Sequence, residues 1–190
     1  MTALEPPRAE AAPRHDRWRA TDAARVAIAV SVPLAWWAAG WPSAAAMFLT
    51  LGGAMALRFA RLPAAVDALG QLVLLGSAWA AVTGAYEVVP GLDLVAHLAS
   101  GAVLALLVRD LLLQARLLPT GTGRGAVARV LHTTTAVTAL GLLWELGEWA
   151  GHALVTEDIR VGYEDTLTDL AADALGALVA ALAAERATRR

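Results

Sequence analysis

Between residues 26 and 184 the chain is a succession of apolar runs joined by short polar connections. Nothing constrains its fold more. Hydrocarbon offers no water to backbone N–H and C=O groups, so a spanning segment must satisfy them itself, as a helix or within a closed barrel. Runs of about 15 to 29 residues suit helices that cross a ~30 Å core and far exceed the 9–11 residues of a barrel strand. The spacing predicts six spans, at 26–39, 43–57, 64–85, 92–113, 127–155 and 165–184. The expected fold class is therefore all-α: a polytopic membrane helix bundle in one transmembrane domain, 25–185. A polar tail at 1–24, read as disordered, precedes it, and a short tail at 186–190 follows. A content of 58% hydrophobic and 17% charged residues agrees with that class.

The first run, followed by Ala44, Ala45 and Ala46, superficially resembles a signal peptide and is read as an uncleaved span. Pro33 is expected to kink it. Trp36, Trp37 and Trp41 are read as an aromatic belt at its far end, and Trp41–Pro42 as the tight turn into the second span. Gly and Arg residues around 118–125 mark a linker between the fourth and fifth spans. Arginine distribution sets the orientation. With six spans, fourteen of the fifteen basic residues fall on one side and Arg160 alone on the other. The positive-inside rule then places both termini in the cytoplasm. Cysteine is absent, which excludes disulfides, thiolate ligands and a cysteine nucleophile. No P-loop, dinucleotide fingerprint or HExxH is present, and no nucleic-acid partner is expected.

Small residues suggest which spans touch. Gly147 and Gly151 form a GxxxG pair on the fifth span, and Ala172 and Gly176 do similar service on the sixth. Close backbone approach of this kind favours helix association in lipid. The fifth and sixth spans are expected to pack together, with the fourth joining them.

Against this apolar background the ionisable residues fall in register. Glu145, Glu148 and His152 share one face of the fifth span, and Asp165, Asp169 and Asp173 one face of the sixth. Asp93 and His97 lie one turn apart at the start of the fourth. Counting ~1.5 Å per residue from the outer ends puts Asp93, His152 and Asp165 within about 5 Å of the surface. His97, Glu148 and Asp169 lie at about 8–10 Å, and Glu145 and Asp173 at about 14–15 Å. Three spans thus offer polar groups at matching depths, in a site that opens outward.

Each group also has a plainer reading. Asp165 serves as a helix N-cap, Asp93 as a cap or surface carboxylate, and His152 as a hydrogen-bonded interfacial histidine. His97, Glu148 and Asp169 make a hydrogen-bonded lock between helices, and Glu145 and Asp173 share a proton. The sharper reading is a cation site. Carboxylates with imidazole are ligands for Zn, Mn or Fe, and with more oxygens for Mg or Ca. The candidate metal ligands are His97, Glu145, Glu148, Asp169 and Asp173. Glu148 and Asp169 are the candidate catalytic pair, and Asp93, His152, Arg160 and Asp165 the candidate substrate-binding or lid residues. A bound divalent ion would activate water or polarise a phosphoryl oxygen, the chemistry of a hydrolase or transferase at the membrane surface. A proton or cation carrier built on the same carboxylates, with Asp67 as an isolated inner gate, is the first alternative. A non-catalytic scaffold is the second.

The ordered set Asp93-x-x-x-His97-x-x-x-Gly101, Trp144-Glu145-x-x-Glu148 and Asp165-x-x-x-Asp169-x-x-x-Asp173-x-x-Gly176-Ala177 resembles the YjdF-like family of bacterial inner-membrane proteins. It is also similar to a broader VanZ-like pattern, from which it departs in carrying Asp173 where Asn is usual. The likeness covers about residues 92–180. It implies a multi-pass protein of the bacterial inner membrane, with VanZ-like relatives associated with glycopeptide resistance, and it supplies no reaction. The expected partners are membrane lipid and a lipid-linked or envelope substrate.

Overall fold

A computed structural model describes residues 18–188, in which every regular element is a helix. The order is α1 (Asp22–Phe59), α2 (Ala64–Val82), the single turn α3 (Ala85–Val88), α4 (Leu92–Gln114), α5 (Arg124–Leu154) and α6 (Tyr163–Ala187). All but α3 are long and apolar enough to cross a membrane, five helices among the described residues. The tail at 1–17 and the last two arginines lie outside the described residues, so their share of the arginine bias is a statement about sequence alone.

The first helix holds what the sequence reads as two spans. As a straight rod its 38 residues would measure about 57 Å, and residues 25 and 54 would be about 43 Å apart. Instead the Arg25 Nε–H donates to the Ala54 carbonyl at 2.9 Å, and Arg58 Nε pairs with Asp22 at 3.1 Å. The helix therefore folds back on itself. The reversal lies at Ala39 and Gly40, the two residues without helical dihedrals. Gly40 takes φ +81°, open to glycine at no steric cost. The turn thus falls just before Trp41–Pro42, and no break occurs at Pro33, through which the helix continues.

Side by side, α1 packs on α2, α2 on α4, and α4 on α6, with α5 against α6 and α4. The fifth and sixth spans touch and the fourth joins them, as expected, and the most extensive contact is between α4 and α6. Glycine explains it. A Cβ on Gly101 would collide with the Asp173 backbone, and one on Gly176 with the Leu98 carbonyl, so both glycines let the two backbones meet. Gly147 faces open space, and Gly151 meets only the Ile159 side chain from the following loop. The GxxxG pair on α5 therefore does not build the α5–α6 contact.

One end of the bundle is held by two buried ion networks. Arg25 bridges Asp22 and Asp67, while Thr21 and Gln71 also donate to the Asp67 carboxylate. Asp67 is 3% exposed and fully engaged, so the isolated inner gate expected there is a structural ion pair. In the second network the Glu185 carboxylate accepts from both Arg109 and Arg129. Arg129 also donates to the carbonyls of Pro119 and Gly121, fixing the 115–123 linker. Arg25, Arg58, Arg109 and Arg129 are thus paired with three carboxylates within the bundle rather than presented as loop charges. Removing one partner from such a buried group typically costs about 3–5 kcal/mol. Asp110 joins α4 to the end of α1 by accepting from the Arg61 N–H and the Gln114 amide.

The opposite end carries exposed Trp36, Trp37, Trp41, Trp149 and Tyr163. Amphipathic rings gathered at one level match a membrane–water interface.

Candidate functional site

The site lies at the aromatic end, where α4 and α6 begin and α5 finishes. Gly91, at φ +75°, turns the chain out of α3 into α4, so Asp93 and His97 fall on the first two turns. Gly162 begins α6, which places Asp165 in its third position; it is not the N-cap, although a carboxylate in the first turn still complements the helix dipole. Asp169 and Asp173 follow one and two turns deeper, beside the Gly101–Gly176 crossing. That crossing is what allows α4 and α6 to share polar groups.

His97 is the hub. Its Nε2 faces Asp93 Oδ1 at 3.7 Å and Asp169 Oδ2 at 3.9 Å, and its Nδ1 faces Asp173 Oδ2 at 3.4 Å. One ligand atom from each of Asp93, His97 and Asp169 lies within 4.8 Å of the other two. Ligands around a small divalent ion at 2.0–2.2 Å stand about 3.0–3.5 Å apart. Closing gaps of 3.7 Å, 3.9 Å and at most 4.8 Å to that spacing would bring this trio to coordination distance. Asp173, expected as a ligand, stands on the other ring nitrogen. It holds the position of a carboxylate that accepts Nδ1–H and leaves Nε2 free to bind, the usual support for a metal-bound histidine.

The α5 residues occupy different places. Glu145 is 6% exposed, and its Oε1 is buried without a hydrogen-bond partner. Buried carboxylate oxygens are seldom left so, because the desolvation is uncompensated. Glu148 is half-buried and accepts from the Trp144 indole N–H at 2.9 Å; it is not one of the close trio. His152 Nδ1 meets the Ile159 carbonyl at 2.7 Å, which ties the 155–162 loop back to the end of α5. Arg160 is largely exposed and stands 3.9 Å from Asp165. The loop thus lies at the mouth of the site, held by His152 and the packing of Ile159 on Gly151.

Several participants escape a reading of charge and spacing. Tyr86, on α3, donates to the Ser77 carbonyl at 2.9 Å, and burial pushes its phenol up to about 12. It closes the α2–α4 connection beside the site, and nothing in its local sequence sets it apart. The Arg25–Asp67 and Arg129–Glu185 pairs likewise unite residues 42 and 56 positions apart, a separation that no helical period reveals.

What the arrangement can do chemically follows from its composition. Asp93, Glu145, Glu148, Asp165, Asp169 and Asp173 gather at this end of α4, α5 and α6, with the loop Arg160 3.9 Å from Asp165, and the buried members lie where isolated charge is costly. Such a cluster suits a cation. It repels a bare anion.

No curated protein and no solved structure matches the chain. A family of predicted membrane proteins, DUF2238, matches residues 21–190, which is every helix described above. This chain is therefore a member of the predicted membrane protein family DUF2238.

Proposed function

We propose that this protein crosses the membrane six times, with both termini on the cytoplasmic side, and binds a divalent cation in the outward-facing pocket of α4, α5 and α6. One observation carries the reading: Asp93, His97 and Asp169 offer ligand atoms within 4.8 Å of one another. The unpartnered Glu145 oxygen supports it, since a cation or its water would satisfy that atom. His97, Asp169 and Asp93 are the inner ligands. Asp173 orients the imidazole, and Glu145 and Glu148 are the carboxylates available to a bound water. Zn, Mn, Fe or Mg each suits a mixed oxygen and imidazole set. The chemistry it would supply is activation of water or polarisation of a phosphoryl oxygen, toward a lipid-linked or envelope substrate arriving at the outer surface. In this reading the YjdF-like and VanZ-like likeness in the motifs is a likeness in this same pocket, in a bacterial inner membrane.

The fold-back of α1 supports the sixth crossing, because each half is about as long as the hydrocarbon is thick. Against a carrier stands the layer beneath the pocket. Ala105, Val137 and Ala177 are wholly buried there and pack with Ala180, and a relay needs polar groups or water through that depth.

Metal content and titration calorimetry on detergent-purified protein test the proposal. The wild type should take up one equivalent of Zn²⁺ or Mn²⁺. Asp169→Asn should abolish uptake, and Asp173→Asn should weaken it about 10–100-fold, as loss of an outer-shell partner does. Metal-free protein that shows no uptake and no change of stability in chelator would overturn it.

A further inference from the structure

Asp173 is held from two sides by helices that carry no side chain at the point of contact. On one side its backbone lies against Gly101 of α4, where an added Cβ would come within 2.8 Å of the Asp173 Cα. On the other its carboxylate lies against Gly141 of α5, where a Cβ would stand 2.7 Å from Oδ2 and 3.6 Å from the Asp173 Cβ. Oδ2 is the same oxygen that faces His97 Nδ1 at 3.4 Å. The Leu170 side chain, 3.4 Å from that Gly141 position, closes the space one turn away on α6. Asp173 is 5% exposed, so solvent does not compete for its carboxylate. One turn from Gly141 on the same face of α5, the buried Glu145 leaves Oε1 without a partner. The helix therefore brings to the pocket both a free oxygen and the gap that seats Asp173.

We infer that Gly141 is a positioning residue: it keeps the Asp173 carboxylate on His97 Nδ1 and so gives the pocket a preference for imidazole-favouring ions, Zn²⁺ or Fe²⁺, over Mg²⁺ and Ca²⁺. This preference rests on the cation pocket proposed above, whose ion class it names. The chemistry runs through one ring. A carboxylate that accepts from Nδ1 fixes the tautomer in which Nε2 is the free donor atom, and strengthens that nitrogen as a ligand. Zn²⁺ and Fe²⁺ suit imidazole, whereas Mg²⁺ and Ca²⁺ suit carboxylate, carbonyl and water oxygens. Asp93 and Asp169 serve either class, so His97 with its Asp173 support decides between them. Moving Asp173 away from α5 would move it off the ring and leave the oxygen ligands in place.

Calorimetric titration of the detergent-purified protein with Zn²⁺ and, separately, with Mn²⁺, which suits oxygen ligands, tests the assignment. Alanine at 141 meets only side-chain atoms and is the better helix former, so Gly141→Ala should fold. It should weaken Zn²⁺ binding about 10–100-fold, as loss of an outer-shell partner does, and weaken Mn²⁺ binding distinctly less. Asp173→Ala should show the same split between the ions by itself. Adding Gly141→Ala to Asp173→Ala should change nothing further, because the oxygen it displaces is already gone. Equal weakening of both ions, which a merely loosened pocket would give, overturns the inference. So do losses that multiply in the double variant, or a Gly141→Ala protein that binds Zn²⁺ like the wild type. Those outcomes leave the cation pocket standing, whereas a wild type that takes up neither ion removes both.

Discussion

Two glycines on neighbouring helices should respond in opposite ways to the same methyl group. At Gly176 an added Cβ would lie 2.9 Å from the Leu98 carbonyl carbon and 3.1 Å from the Ala102 nitrogen. Favourable contact needs about 3.5–4.0 Å. The Leu98 carbonyl oxygen lies nearer still, and all three neighbours are backbone, so relief requires α4 and α6 to separate by more than about 1 Å. Overpacking of this kind costs about 1–3 kcal/mol, partly offset by the higher helix propensity of alanine, which is worth up to about 1 kcal/mol. Gly176→Ala should therefore lose roughly 1–2 kcal/mol. At Gly147 nothing lies within 4 Å, so Gly147→Ala should be neutral or gain a few tenths of a kcal/mol. The assay is reversible unfolding in mixed micelles, read by tryptophan fluorescence. A second readout follows from position. The same separation would stretch the His97–Asp169 and His97–Asp173 distances of 3.9 and 3.4 Å, so Gly176→Ala should also weaken cation uptake while Gly147→Ala leaves it unchanged. Equal destabilisation by the two variants, or a neutral Gly176→Ala, would refute the account of the α4–α6 crossing.

The Glu185 network and the loop at the mouth yield two further expectations. Glu185→Gln leaves Arg109 and Arg129 without their shared carboxylate and should cost about 3–5 kcal/mol of unfolding free energy. An unchanged unfolding midpoint would show that those arginines find other partners. His152→Ala removes the hydrogen bond to Ile159, worth about 1 kcal/mol. It should speed proteolytic cleavage within 155–162 without lowering global stability, and equal cleavage rates would mean that the loop is held by other contacts.

Sequence alone determined the solvent of this protein and the period of its elements. Apolar runs of that length leave helices as the economical way to satisfy backbone groups in hydrocarbon. Spacing of one turn placed Glu145, Glu148 and His152, and Asp165, Asp169 and Asp173, on common faces before any contact was known. The tertiary structure decided which of these groups meet. Helix faces can be read from a 3.6-residue period, but crossing points depend on which backbones approach most closely. Gly101 and Gly176 set that point between α4 and α6, whereas the more conspicuous Gly147 does not. That choice put Asp169 on one nitrogen of His97 and Asp173 on the other, whereas Asp93–His97 and Trp144–Glu148 are pairs one turn apart on their own helices. The Arg25–Asp67 pair and the pairs of Glu185 were hidden for the same reason: each joins residues on different helices, and sequence periodicity describes one helix at a time.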